Sequence, residues 1–98
     1  MIDSKSLIHE SASIADNVKI GAYAVIDKNV SIGEGTVIKE YAVIRENTSI
    51  GQNNYIYQFA TIGEEPHALK FPDEHTTCTI GDNNTIREYS STHRGTEY

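Results

Sequence analysis

SIGEGTVIKEYAVIRENTSIG, residues 31–51, sets isoleucine at 32, 38, 44 and 50. Neither common secondary structure repeats in six. An amphipathic helix spaces apolar residues three and four apart, and a half-buried strand spaces them two apart. Followed outward, isoleucine holds positions 8, 14, 20, 26, 32, 38, 44, 50, 56 and 62 without a miss. The phase returns at Ile80 and Ile86, and Thr92 takes the next slot.

The slots around each isoleucine are also restricted. Two residues before it stands a small or β-branched residue in most hexads, such as Ala12, Val18, Ala24, Val30, Thr36, Ala42 and Thr48, with Asn54, Ala60, Cys78, Asn84 and Ser90 later. Glycine follows it at 21, 33, 51, 63 and 81. Three residues after it come Asn17, Asn29, Gly35, Asn47, Asn53 and Asn83. One large and one small residue per hexad suit a narrow interior that must fill to native density. Glycine and asparagine are read as corner residues that tolerate positive φ, with β-branched residues in the extended segments between corners. A hexad repeat of this kind marks a parallel β-helix. Three hexads close one triangular coil of 18 residues, and coils stack at the inter-strand spacing of about 4.8 Å. The expected fold is therefore all-β, a single β-helix domain over 1–98 of about four triangular coils. Its inner columns are Ile8, Ile26, Ile44; Ile14, Ile32, Ile50; and Ile20, Ile38, Ile56. A flat sheet of short strands would not hold one residue type in strict phase over ten hexads.

Composition sets outer bounds. The 98 residues carry a net charge of −6, and the eight lysines and arginines are scattered, which argues against nucleic acid as a partner. The chain opens MIDSKS, unlike a signal peptide, and contains no apolar run long enough to span a membrane. One cysteine, Cys78, cannot make an internal disulfide and fits a reducing cytoplasm. Zinc would need a Cys/His cluster, and none is visible; no metal and no cofactor are expected.

The repeat lapses at EEPHALKFPDEHTTC, residues 64–78, which holds both prolines and two of the four histidines. The segment reads as an extended loop thrown out from a corner, and loops of this length in a compact domain are usually functional.

NNYIYQFATIGEEPHALKF (53–71) and IGDNNTIREYSSTHRGT (80–96) resemble the UDP-N-acetylglucosamine acyltransferase family that opens lipid A synthesis. That family shows hexads, an IYQFA block followed by IGE, a loop with DLKY, then IGD, IRE and HRGT; the opening MID matches as well. The likeness runs along essentially the whole chain. It implies a left-handed coil, an exception to the right-handed crossover rule. It also implies a homotrimer with active sites in clefts between subunits. The family transfers a 3-hydroxyacyl group from acyl carrier protein to the 3-hydroxyl of UDP-N-acetylglucosamine.

Three residues are candidates for substrate binding by this resemblance. Lys70 matches the loop lysine that helps hold the sugar nucleotide, a sensible point charge for a diphosphate. His67 stands where the family commonly has glutamine, and His93, in THRGT, matches a histidine lining the cleft. Ala68 replaces a usual aspartate, so one polar sugar contact is lost. His9 matches a histidine near the N-terminal cap and is read as structural. No catalytic residue is assigned. The family's base, a histidine suited to taking the hydroxyl proton near neutral pH, lies beyond the HRGT block, as do the acyl groove and the helical C-terminal domain. The chain is thus expected to be an N-terminal part of such an enzyme, cytoplasmic and inactive alone. A non-catalytic β-helical binding or assembly module is the alternative. A γ-class carbonic anhydrase would need three histidines per zinc, which the spacing of these four does not supply.

Overall fold

The computed structural model describes residues 1–64 and 77–93. Among them, thirteen short strands follow one another. They are β1 (Leu7–Ile8), β2 (Ser13–Ile14), β3 (Lys19–Ile20), β4 (Val25–Ile26), β5 (Ser31–Ile32), β6 (Val37–Ile38), β7 (Val43–Ile44), β8 (Thr48–Ile50), β9 (Tyr55–Ile56), β10 (Thr61–Glu64), β11 (Cys78–Ile80), β12 (Thr85–Ile86) and β13 (Ser91–His93). Every third strand pairs in parallel, giving sheet I (β1-β4-β7-β10-β13), sheet II (β2-β5-β8-β11) and sheet III (β3-β6-β9-β12). The chain visits the three faces of a prism in rotation and rises about four coils.

The register matches the hexad phase. Ile8 lies beside Ile26, Ile26 beside Ile44, and Ile44 beside Ile62 in sheet I. Ile14, Ile32 and Ile50 stack in sheet II, and Ile20, Ile38 and Ile56 in sheet III. The coils are joined by main-chain bonds such as Gly33 N–H to Ile50 O (2.7 Å) and Val25 N–H to Ala42 O (2.9 Å). From Ile20 onward the described isoleucines are buried, together with the residues two places before them from Val18 to Cys78, while Asn84, and Ile8 and Ile14 at the first coil, are partly exposed. Each buried isoleucine contributes roughly 1.5–3 kcal/mol.

The corners both support and correct the sequence reading. Residues three after the isoleucines do adopt positive φ, at Asn17, Asn29, Gly35, Asn47, Asn53 and Asn83. The same backbone recurs at Tyr23, Tyr41, Phe59 and Tyr89, which the hexad reading passed over because asparagine and glycine alone seemed suited to it. The glycines directly after isoleucine have a different role from the one expected. Of these, Gly63 is at positive φ, +83°, whereas Gly21, Gly33 and Gly51 are not. They serve close approach between coils. A Cβ on Gly33 would lie 2.5 Å from the Gly51 carbonyl carbon and 2.6 Å from its oxygen, a backbone that cannot yield without parting the coils. Gly33→Ala is expected to lower stability by about 1–3 kcal/mol in urea unfolding; unchanged stability would show that the two coils are not in contact there.

Candidate functional site

The repeat is interrupted at one corner. Before it, paired residues are 18 apart in sequence; after it, Ile80 pairs with Ile50 and Ile86 with Ile56, 30 apart. The connection from sheet I to sheet II is therefore twelve residues longer here than one coil below. Both ends of the 64–78 segment are strand: Glu64 closes β10 and Cys78 opens β11. His67, Lys70 and Ala68 lie outside the described residues.

The irregular end of β10 has a local cause. Gly63 takes φ +83°, a conformation that glycine adopts without steric cost. The pairing of β10 with β13 shifts by one residue between Ile62 and Glu64, as a β-bulge does when it re-aims a strand. A Cβ on Gly63 would collide with Thr48 Oγ1. That hydroxyl is buried and has no hydrogen-bond partner among the described residues. Below the exit, the corner is tied by side chains. Asn29 Nδ2 donates to Asn47 Oδ1 (3.3 Å), and the Asn29 N–H donates to Ser11 Oγ (3.0 Å). Lys28 Nζ lies 3.6 Å from Glu46 Oε2, an exposed pair of small energetic weight. On return, the Cys78 N–H donates to Asn47 O (3.2 Å), and Cys78 is fully buried. It is a packing residue in the column of Val30 and Thr48, as its slot in the hexad predicts.

Of the three sequence candidates, the described residues place only the backbone of His93. It lies in β13 opposite Glu64, the last residue of β10. The strand order thus brings Thr92 and His93 beside Ile62 and Glu64, at the end of the strand that precedes the segment holding His67 and Lys70 in sequence. His9 is exposed and its Nδ1 lies 2.8 Å from Ser11 Oγ, in keeping with a structural role at the first coil.

The YQF block has a structural role that its sequence did not disclose. Tyr57 packs against Tyr55, with ring centroids 4.9 Å apart, and the Arg87 guanidinium sits 4.5 Å above the Tyr57 ring. Arg87 Nε also donates to Glu88 Oε1 (3.0 Å). That hydrogen bond holds the Glu88 carboxyl below its usual range and raises Arg87. These contacts stitch the coil after the loop onto the coil before it. Gln58 aside, the block therefore holds two coils together across the insertion.

Two other features are separate from this corner. A shallow depression of about 390 Å³ on sheet III is lined by Met1, Asp3, Lys19, Val37, Lys39 and Glu40, among others. Among the described residues, no group of three or more His, Cys, Asp and Glu could hold a metal ion, and no helix is long and apolar enough to cross a membrane.

Comparison with known proteins agrees with this geometry. The family model for bacterial transferase hexapeptide (six repeats) matches residues 11–46 and 29–64. An acyl-(acyl carrier protein)–UDP-N-acetylglucosamine O-acyltransferase of Trichlorobacter lovleyi is 50% identical over 97% of this chain, and one of Xylella fastidiosa is 54% identical over 98%. The crystal structure of UDP-N-acetylglucosamine O-acyltransferase from Moraxella catarrhalis superposes with a TM-score of 0.92 at 49% identity, over 97% of this chain and 37% of that one. The chain spans about 36% of the length of the curated relatives it matches. With the hexad columns stacked as the repeat requires and the family model covering more than half of its residues, this chain belongs to the bacterial transferase hexapeptide family.

Proposed function

We propose that this chain is the N-terminal β-helix of an acyltransferase that moves a 3-hydroxyacyl group from acyl carrier protein to the 3-hydroxyl of UDP-N-acetylglucosamine, in the first step of lipid A synthesis. The observation that carries the reading is the extent of the likeness: relatives bearing that name are 50–54% identical over 97–98% of the chain, so the insertion is matched along with the coils. In this reading the loop supplies Lys70 to the nucleotide diphosphate and His67 to the sugar side, and His93 lines the same cleft from β13. Left-handed winding, a cytoplasmic setting and a homotrimer with its clefts between subunits come with the same likeness.

The division of labour follows from the chemistry. A lysine ammonium holds a diphosphate as a point charge and needs no counterpart from the acyl donor. Transfer also requires that the sugar hydroxyl lose its proton as it attacks the thioester carbonyl and the carrier thiol leaves. The histidine suited to that step belongs to the region beyond the HRGT block. The 98 residues are thus a binding portion of the site. Calorimetry should show UDP-N-acetylglucosamine binding that weakens about tenfold or more on Lys70→Ala, the loss of one charge-assisted contact. An acyl-transfer assay on these residues alone should show no turnover. Binding indifferent to Lys70, or clear turnover, would contradict the assignment.

A further inference from the structure

The outward side chains of sheet III form a small grid. Lys19 lies beside Val37 one coil up. Below them Ile2 bridges Ile20, with Met1 O accepting from the Ile20 N–H and the Asp3 N–H donating to Ile20 O. Ile20 and Ile38 are buried, so the next outward places on their strands are Gly21 and Lys39. Gly21 leaves its place without a side chain. The result is the depression of about 390 Å³, near the lower end of the roughly 300–1,000 Å³ of small-molecule sites. The gap is built into the stack. A Cβ on Gly21 would lie 2.5 Å from the Glu40 nitrogen, so the place stays empty while the coils keep their register.

The charges around the gap differ in what they already hold. Lys19 and Lys39 line it from adjacent coils. Neither forms an ion pair among the described residues, although the chain carries a net charge of −6. Asp3 Oδ1 accepts the Lys5 N–H (2.8 Å), and the Met1 ammonium donates to Val18 O (3.0 Å). Glu40 stands half-buried at the rim, where the corner toward sheet I begins. That corner is an aromatic ladder: Tyr23, Tyr41, Phe59 and Tyr89 stack with centroids 5.5, 5.5 and 5.6 Å apart.

We infer that the depression is a binding site for a small organic carboxylate with an apolar body. Lys19 reaches the gap along its own strand and Lys39 from the strand above, and an ammonium makes charge-assisted hydrogen bonds to a carboxylate. Half-buried Val37 and the methylene stems of the two lysines supply apolar surface for the body. The Glu40 carboxylate at the rim disfavours a second anionic group, which selects a single carboxylate over a diphosphate. Sheet III is the face across the prism from the corner between sheets I and II, so the site is separate from the acyltransferase reading.

Titration of the isotopically labelled chain with hexanoate, followed by amide chemical shifts, tests the site. The amides of Gly21, Val37 and Lys39 are fixed reporters, since they donate to Ile38, Asn54 and Ile56. Hexanoate is expected to shift them saturably, with a dissociation constant of about 1 mM for a ligand of this size. Lys19→Gln/Lys39→Gln should weaken binding at least about tenfold. Lys19 is exposed and Lys39 half-buried, so neither substitution opens the core, and circular dichroism verifies that the β structure is retained. Val37→Glu, which sets a carboxylate beside the gap, should remove binding. Lys28→Gln, at another corner and paired with Glu46, should leave it unchanged. Shifts that do not saturate by about 20 mM overturn the assignment, as does a double lysine variant or a Val37→Glu variant that binds like the wild type. Equal weakening by Lys28→Gln, or hexylammonium bound as tightly as hexanoate, also overturns it.

Discussion

Ile44→Ala is expected to destabilise the protein by about 2–5 kcal/mol, the range for truncating a fully buried isoleucine in a close-packed core. Ile44 is completely buried and lies between Ile26 and Ile62 in the middle of the sheet I column. Neighbours above and below are held by main-chain bonds, including Asp27 N–H to Ile44 O and Arg45 N–H to Ile62 O, 2.9 and 2.8 Å. The coils cannot collapse into the space, so the cavity term persists. A domain of this kind has only about 5–15 kcal/mol of stability in total, and the loss should be evident as a large fall in the urea midpoint. Ile8→Ala, at the partly exposed first coil, should cost less than half as much. Equal losses at the two positions would show that the column has no buried centre.

The second large effect is expected at Asn54. This buried asparagine donates from Nδ2 to Gly81 O (2.7 Å) and accepts at Oδ1 from the Asn84 N–H (2.8 Å). Its own N–H reaches Thr36 Oγ1 (3.3 Å), which in turn donates to Gly51 O (2.9 Å). The residue therefore clamps the coil after the insertion to the coil before it. Asn54→Leu keeps the branched shape but adds bulk to a packed slot and strands an acceptor and a donor, each at about 1–3 kcal/mol, so a loss of at least about 2–6 kcal/mol follows. It should be local first. The amides of Gly51, Tyr55 and Tyr57, which donate to Ile80, Asn84 and Ile86, should exchange with deuterium faster. Those of Gly33 and Val37, one coil lower, should change less. A uniform acceleration would place the clamp elsewhere.

These two residues show what the sequence made legible. Ile44 could be placed from the hexad period, because a repeat locked to backbone geometry fixes each residue by its neighbours one coil away. The corner asparagines and the interrupted corner followed from the same logic. Asn54 occupies the small-residue slot, but its hydrogen bonds cross the insertion to residues 27 and 30 positions on, a relation no local pattern encodes. The glycines after isoleucine were misread because close approach of two backbones is a property of the stack. The aromatic ladder was missed because only one corner in three carries it. Of the candidate site, Lys70 and His67 rest on resemblance, since the hexad phase that assigns a residue its neighbour one coil away lapses in sequence between Ile62 and Ile80. His93 could be placed to the extent that β13 resumes the period.

Interstrand nuclear Overhauser contacts in the isotopically labelled protein bear most directly on the stacked prism. Contacts are predicted between residues 18 apart before the insertion, such as Val25 with Val43, and 30 apart after it, such as Thr85 with Tyr55. Contacts between successive hexads in antiparallel order, with none at those two separations, would contradict it.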